Sequence, residues 1–382
     1  MKKIRITFLF TTLVGAATFF SFRYKEENDL KELRKIYSGG DVSKWPAPNI
    51  DPSVRPTFKD IGPLDSIPYP ADNPTNDAKQ DLGKTLFFDP RLSSSGQIAC
   101  ASCHDPQLGW GDGKSVAFGH DRKVGRRNAM TLFNTAYYKF LFWDGRAKSL
   151  EDQAQFPIKD NLEMHQDLKE LTVRAKKYKG YELLFEKAFG AKEISLDKVF
   201  KAIATFERTI VSPPSRFDLF VGGRSEALKD NELNGMHLFR TKARCVNCHN
   251  SGFFSDNQFH NDGQTLWGSE GEDLGRYNVT KNKADIGLFK TPSLREVANT
   301  GPWMHHGNFP SLKDVVQFYN LGNPSPIQKK YQGTARDSLL PTPSPLLKRL
   351  NLSVTEIEDI IAFLQSITTT PRRVKPPVQF PQ

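Results

Sequence analysis

The residues best suited to chemistry are the four cysteines, which form two Cys-x-x-Cys-His patterns, CASCH at 100–104 and CVNCH at 245–249. Two thiols three positions apart can reach the two vinyl groups of one porphyrin, and the adjacent histidine then presents its imidazole to the iron. We therefore infer two covalently bound haem c groups. The attachment residues are Cys100, Cys103 and His104 for the first haem, and Cys245, Cys248 and His249 for the second.

Zinc binding, thiol redox chemistry and disulfides are the alternatives for these cysteines. Structural zinc sites with four cysteines usually place the two pairs about 15–20 residues apart, whereas a far longer stretch separates Cys103 from Cys245. A redox Cys-x-x-Cys pair does not require a histidine directly after it. Two disulfides would suit an exported chain, but the grouping of each pair with a histidine favours haem. What a dihaem protein does then depends on whether each iron's sixth position is occupied or open.

Helices must position these motifs, because strand-like alternation is scarce in the sequence. Apolar residues recur at helical spacing over 196–210 and stop at Pro213-Pro214. A capping box of Ser353 and Glu356 precedes a second apolar face, and Asn76 is expected to cap a helix before the first haem motif. We predict a mostly α protein with two cytochrome c-like haem domains and long connecting loops.

The chain divides at its proline-rich segments and at its N-terminal apolar stretch. The two haem motifs lie on either side of Pro213-Pro214, which indicates two related haem domains. The expected divisions are a signal peptide or N-terminal anchor at 1–22, a charged and proline-rich lead-in at 23–74, a first haem domain at 75–215, a second haem domain at 216–370, and a tail at 371–382.

The N-terminus has the pattern of an export signal. Lys2, Lys3 and Arg5 precede an apolar stretch that runs to about Phe22. This stretch is marginal for a membrane span, which usually needs about 20 apolar residues. We expect an exported, periplasmic protein, and an uncleaved anchor in the inner membrane is the alternative.

The formal net charge of +10 is typical of a protein that meets an acidic partner or an anionic surface. No long basic run interleaved with aromatic residues stands out, so we expect no binding to nucleic acid. A basic surface that docks an acidic electron donor is compatible with this charge.

Further motifs resemble those of a known family. Residues 142–147 read FWDGRA and residues 291–295 read TPSLR. Together with the haem motifs, and in the same order, they resemble the bacterial dihaem cytochrome c peroxidase family, which includes MauG, over roughly residues 75–370. The resemblance implies that the first haem is the peroxidatic one and that the second transfers electrons. It implies a distal histidine at His120, a tryptophan between the haems at Trp143, and distal-pocket residues Gln153, Pro157 and Glu163, with Glu163 as the catalytic glutamate.

The resemblance also implies ligands in the second half of the chain. Typical peroxidases of the family carry the axial methionine of the electron-transfer haem at the position of Tyr319, whereas MauG carries a tyrosine there. Met304 is the alternative axial ligand. A phenolate donates more charge to iron than a thioether, so the second haem should have a lower potential than a methionine-ligated one. A calcium ion between the domains is implied through Asn128, Thr300 and Pro302.

The activity implied is the reduction of hydrogen peroxide to water, with a small cytochrome c or cupredoxin as the electron donor. In that reaction Glu163 shuttles the proton, Gln153 orients the peroxide, and Trp143 carries the oxidising equivalent between the haems. Two other functions stay open: a MauG-like oxidase that modifies a partner protein, which Tyr319 favours, and a dihaem electron carrier without enzyme activity. The family often forms homodimers, so a homodimer is a further candidate assembly.

Overall fold

A computed structural model describes residues 29–322, 333, 335–370 and 374–382. The expected export segment at 1–22 lies outside the described residues. The described chain is mostly helical, as predicted, with one antiparallel pair of two-residue strands, β1 (Phe259–His260) and β2 (Phe289–Lys290). Its α-helices are α1 (29–38), α2 (Asp77–Phe88), α3 (Leu150–Lys159), α4 (Leu168–Lys176), α5 (Lys179–Phe189), α6 (Leu196–Glu207), α7 (Arg216–Val221), α8 (Asp230–Arg240), α9 (Tyr277–Thr280), α10 (Leu312–Asn320) and α11 (Val354–Ser366).

In the first half of the chain, α2 crosses α6 at very short range. The Asn76 side chain accepts a hydrogen bond from the Lys79 N–H, so the predicted cap is confirmed. A Cβ atom at Gly83 would lie 1.9 Å from the carbonyl oxygen of Ala202 and 2.8 Å from Cβ of Phe206. Only glycine permits this approach, which places α2 and the first haem motif against α6.

The second half repeats this arrangement with α8 and α11. A Cβ atom at Gly235 would lie 1.9 Å from the carbonyl oxygen of Asp359 and 2.9 Å from Cβ of Phe363. The predicted capping box of Ser353 and Glu356 is present at the start of α11. In each half, a glycine before the haem motif contacts the backbone of one helix residue, Ala202 or Asp359. A phenylalanine follows that residue four positions later in the same helix. This correspondence supports two related haem domains.

The proline-rich lead-in binds to the second half of the chain. Arg240, which is 1% exposed, forms an ion pair with Asp60 and donates a hydrogen bond to the hydroxyl of Tyr37. Trp45 and Ile61 are buried in the same hydrophobic core as α8 and α11. The lead-in therefore contributes side chains to the core of the second domain.

The C-terminal tail returns to the first half. The Gly180 N–H donates to the carbonyl of Gln382 at 2.9 Å, and Arg91 donates to the carbonyl of Pro381 at 2.9 Å. Within the described ranges, no helix is both long enough and apolar enough to cross a membrane.

Candidate active site

The first haem motif opens onto a cavity of about 2310 Å³, including the part open to solvent. Cys100–Ser102 forms one turn of 3-10 helix, and the His104 N–H donates to the carbonyl of Cys100 at 3.0 Å. The imidazole Nδ1 of His104 lies 3.1 Å from the carbonyl oxygen of Trp110, to which it donates as the Nδ1–H tautomer. Nε2 is then the nitrogen available to a metal, and His104 lies in the wall of this first cavity.

The second motif is built in the same way on a second cavity, of about 1750 Å³. Cys245–Asn247 forms the 3-10 turn, and Nδ1 of His249 lies 3.1 Å from the carbonyl oxygen of Phe254. Cys245 and Cys248 both line this second cavity beside His249.

Both motifs fit covalent haem. All four cysteines are free thiols at intermediate depth, so they are available for thioether bonds. In each motif a backbone carbonyl fixes the histidine tautomer that leaves Nε2 as the donor. The wall of the second cavity is predominantly apolar, as a porphyrin face requires.

The predicted acid–base residues line the first cavity with His104. Helix α3 carries Leu150, Gln153 and Pro157 on one face toward this cavity, at the i, i+3, i+7 spacing of a helix. Glu163 follows in the loop after α3 and lines the same cavity. Burial raises the pKa of Glu163 to about 7, neighbouring Asp160 adds to the rise, and Arg146 opposes it.

His120 does not join this group. Its ring is absent from the wall of the first cavity: Nδ1 lies 3.3 Å from Oγ of Ser94, and Nε2 lies 3.2 Å from a carboxylate oxygen of Asp121. Its backbone N–H donates to the carbonyl of Glu163 at 2.7 Å. Ligation of the first iron by His120 stays a prediction.

Trp143 lies at the boundary of the two cavities and lines both. Its indole N–H donates to the carbonyl of Asn128 at 3.1 Å, and its own carbonyl accepts from the Lys290 N–H at 2.7 Å. Met130, Thr131 and Tyr138 also line both cavities. Side chains therefore form the boundary between the two cavities, and the indole of Trp143 is one of them.

Tyr319 lies on α10 in the wall of the second cavity, where Met304 is also found. Asn128, Thr300 and Pro302 line this cavity as well. The amide nitrogen of Asn128 donates to the carbonyl of Lys114 at 2.9 Å, which leaves its Oδ1 available to a cation. The three predicted calcium ligands therefore all lie in the wall of the second cavity, and calcium binding stays a prediction.

Several residues of the site were not predicted. Glu207 lines the first cavity, and its Oε2 is buried with no hydrogen-bond partner among the described residues. Lys290 is 1% exposed and lines both cavities. Arg127 forms ion pairs with Asp144 and Asp273, and all three residues line the first cavity. Lysine and glutamate are usually solvated. The only indication in the sequence that one of these residues belongs to the site is that Lys290 directly precedes the TPSLR segment.

Comparisons with known proteins show similarity over most of the chain. A family model described as di-haem cytochrome c peroxidase matches residues 77–226. The chain is 36% identical over 337 residues to the cytochrome-c peroxidase IdrP1 of Pseudomonas sp. (strain SCT), covering 81% of this chain and 85% of that protein. It is 38% identical over 318 residues to the methylamine utilization protein MauG of Methylophilus methylotrophus, covering 82% of this chain and 89% of that protein.

A solved structure has the same fold. The crystal structure of a MauG-like protein associated with microbial copper homeostasis superimposes with a TM-score of 0.70 at 29% identity, covering 80% of this chain and 94% of that one. The predicted mostly helical dihaem architecture is thereby confirmed.

Proposed function

The chain belongs to the di-haem cytochrome c peroxidase family, and we propose that it is an exported peroxidase that reduces hydrogen peroxide to water with electrons from a small redox protein. The observation that carries this proposal is the position of Glu163. Its carboxyl group faces the cavity that His104 also lines, and burial raises its pKa to about 7. Such a group can accept and return a proton near neutral pH.

Two haems fit the residues present. Cys100, Cys103 and His104 would hold the first haem, and Cys245, Cys248 and His249 the second, with Tyr319 as the second haem's further ligand. When bound, haem iron supplies the electrons that split the peroxide bond.

The side chains of the first cavity would manage the proton. The Glu163 carboxylate takes the proton from the peroxide oxygen that remains in the site and gives it to the oxygen that departs as water. Gln153 lines the same cavity and offers both a donor and an acceptor with which to orient peroxide or a water molecule. Pro157, one helical turn further along α3, has no backbone N–H to offer and lines the same cavity as Glu163.

Trp143 is the proposed route for electrons between the two sites. Its ring lines both cavities, and its indole N–H is held by the Asn128 carbonyl at 3.1 Å. An external donor, a small cytochrome c or cupredoxin, then restores the electrons that peroxide removes.

A calcium ion bound by Asn128, Thr300 and Pro302 is the proposed link between the domains. All three line the second cavity, and the backbone N–H of Asn128 donates to the carbonyl of His305 at 2.8 Å. Amide and carbonyl oxygens are ligands that calcium prefers.

Steady-state peroxide turnover with reduced cytochrome c tests the main proposal. Glu163→Gln keeps the volume of the side chain but removes its titration, so we expect kcat to fall by about 10²–10⁴-fold. Glu170→Gln, an exposed position on α4, is the matched control and should turn over like the wild type. Unchanged turnover in Glu163→Gln would contradict the mechanism, and wild-type protein that does not consume peroxide would indicate an electron carrier.

A MauG-like oxidase is the second candidate function. The tyrosine in the wall of the second cavity favours it, because phenolate stabilises high oxidation states of iron. After one equivalent of peroxide without donor, such an enzyme would hold both oxidising equivalents for minutes, whereas a peroxidase would be reduced rapidly by added cytochrome c. Electron paramagnetic resonance of both samples separates the two functions.

A further inference from the structure

Lys290 is a buried lysine at the boundary of the two cavities. It lies in β2, its side chain is 1% exposed, and it lines both the first and the second cavity. Its backbone N–H donates to the carbonyl of Trp143 at 2.7 Å, which fixes the position of the strand beside the indole. The lysine therefore lies where the two haem sites approach each other.

The ammonium group has an aromatic neighbour but no anion. Its nitrogen lies 3.2 Å from the centre of the Tyr138 ring. Among the residues that the structure describes, no carboxylate forms an ion pair with it. Asp144 is the acidic group that opposes the lowering of the Lys290 pKa, but it is already paired with Arg127 at 2.6 Å and with Arg146 at 3.1 Å.

A buried ammonium without a counter-ion is strongly unfavourable. Burial alone lowers the pKa of Lys290 well below its usual range. The contact with Tyr138 recovers only part of the lost hydration, since a cation–π interaction contributes about 0.5–2 kcal/mol. The cavities that the side chain faces are those that fit haem, and each haem brings two propionate carboxylates.

We propose that Lys290 binds a propionate carboxylate of one of the two haems and thereby sets the potential of that haem. This inference rests on the haem occupancy proposed above but not on peroxide turnover. A positive charge beside the porphyrin favours the reduced iron, which carries one positive charge less. Without it the propionate is unpaired and stabilises the oxidised iron instead. Lys290 is thus a positioning residue that acts through the haem carboxylate.

Redox titration of the purified holoprotein tests the proposal. Lys290→Met keeps an unbranched side chain against Tyr138 but removes the charge. We expect the ratio of reduced to oxidised iron at one haem to fall at least tenfold at a fixed solution potential, which corresponds to 59 mV for a one-electron couple. Lys290→Arg should stay close to the wild type, and Lys283→Met, an exposed lysine of the same segment, is the matched control.

Every result of this redox titration either supports or overturns the role of Lys290. Unchanged potentials of both haems in Lys290→Met would overturn the proposal, and so would an equal shift in Lys290→Arg, because the charge would then not be the cause. If Lys290→Met does not fold, Lys290→Gln is the second neutral variant, with the same expected shift. Wild-type protein with fewer than two haems per chain would overturn the proposed function itself, and the haem content measured beforehand distinguishes that failure.

Discussion

Among single residues, Tyr319 is the proposed iron ligand on which the choice between the candidate functions depends most. Tyr319 and Met304 both line the second cavity with His249, so both remain candidate ligands of the second iron. The two have opposite effects, because phenolate stabilises oxidised iron and a thioether stabilises reduced iron. The identity of this ligand decides whether the second haem stores an electron or an oxidising equivalent.

We predict that Tyr319→Met raises the potential of the second haem and shifts its absorption spectrum. The shift in the reduction potential should fall within the range of roughly 0.8 V over which axial ligands set haem potentials. Met304→Leu is the control and should leave spectrum and potential unchanged. Spectroelectrochemistry of both holoproteins checks this. A spectrum altered by Met304→Leu but not by Tyr319→Met would show that the assignment is reversed.

Glu207 is the second residue of interest, because its carboxyl group is buried in the wall of the first cavity. Burial raises its pKa to about 8, against the lowering effect of Arg208, and Glu151 adds to the rise. The carboxyl group of Glu207 therefore stays protonated up to about pH 8 in the folded state, whereas it loses its proton near pH 4.3 in the unfolded state. Between these two values the free energy of unfolding falls as pH rises, by at most about 1.4 kcal/mol per pH unit.

Glu207→Gln should remove this pH dependence. The amide stays neutral at every pH, so we expect the thermal midpoint of the variant to rise relative to the wild type between pH 5 and pH 8. Above pH 8 the difference should stay constant, because the wild-type carboxyl is then ionised in both states. Thermal unfolding of the holoproteins from pH 5 to 9 measures it, with Glu170→Gln as the exposed control. Parallel curves for Glu207→Gln and wild type would contradict the buried, neutral carboxyl.

At the scale of elements, the two crossings of helices determine where the haem motifs lie. Gly83 of α2 meets the backbone of α6, and Gly235 of α8 meets the backbone of α11. Each glycine lies on the helix that leads into a haem motif. A carbonyl oxygen cannot turn away as a flexible side chain can, so each crossing depends on the missing Cβ.

We predict that Gly83→Ala and Gly235→Ala each destabilise the protein by about 1–3 kcal/mol or more, as overpacking does. The direction of this change in stability tests the close crossing of the helices, because alanine is otherwise about 1 kcal/mol more favourable than glycine within a helix. Urea unfolding measures the change, with Asp81→Ala, an exposed position of α2, as the control. Gly83→Ala should perturb the spectrum of the first haem and Gly235→Ala that of the second. Stabilisation by either alanine would mean that the helices do not cross this closely.

For the molecule as a whole, the features that local sequence determines could be predicted. The haem motifs, the Asn76 cap and the capping box at Ser353 each depend on residues within a few positions of one another. The family resemblance added Glu163 and Gln153, which the structure brings to one cavity with His104.

Features that depend on distant parts of the chain could not be predicted. Lys290 and Glu207 are charged types that composition assigns to the surface, and only the packing of both domains buries them. The His120 ring lies against the hydroxyl of Ser94, a tertiary contact that spacing from the haem motif could not predict, and its role as an iron ligand stays a prediction. The composition of the lead-in did not indicate that Trp45 and Ile61 belong to the core of the second domain, where the ion pair of Arg240 with Asp60 also holds the lead-in.

The two domains are joined at Arg127, beside the proposed electron route. Its guanidinium donates to Asp144 at 2.6 Å and to both carboxylate oxygens of Asp273, at 2.6 and 2.9 Å. Asp144 follows Trp143 directly in the first domain, whereas Asp273 belongs to the second. The side chains of Arg127, Asp144 and Asp273 are 15%, 6% and 16% exposed, so salt should screen this network only weakly.

Arg127→Met should therefore lower the free energy of unfolding by about 3–5 kcal/mol, as the loss of one partner from a buried ion pair does. Asp144 would keep Arg146, at 3.1 Å, so most of the loss should come from Asp273. A double-mutant cycle with Asp273→Asn measures this share, since the second substitution should cost much less once Arg127 is absent.

Arg224→Met, an exposed arginine, is the control. If the two substitutions were additive, the domains would be held together by other contacts. If they are coupled, the ion pair between Arg127 and Asp273 is what joins the two domains here.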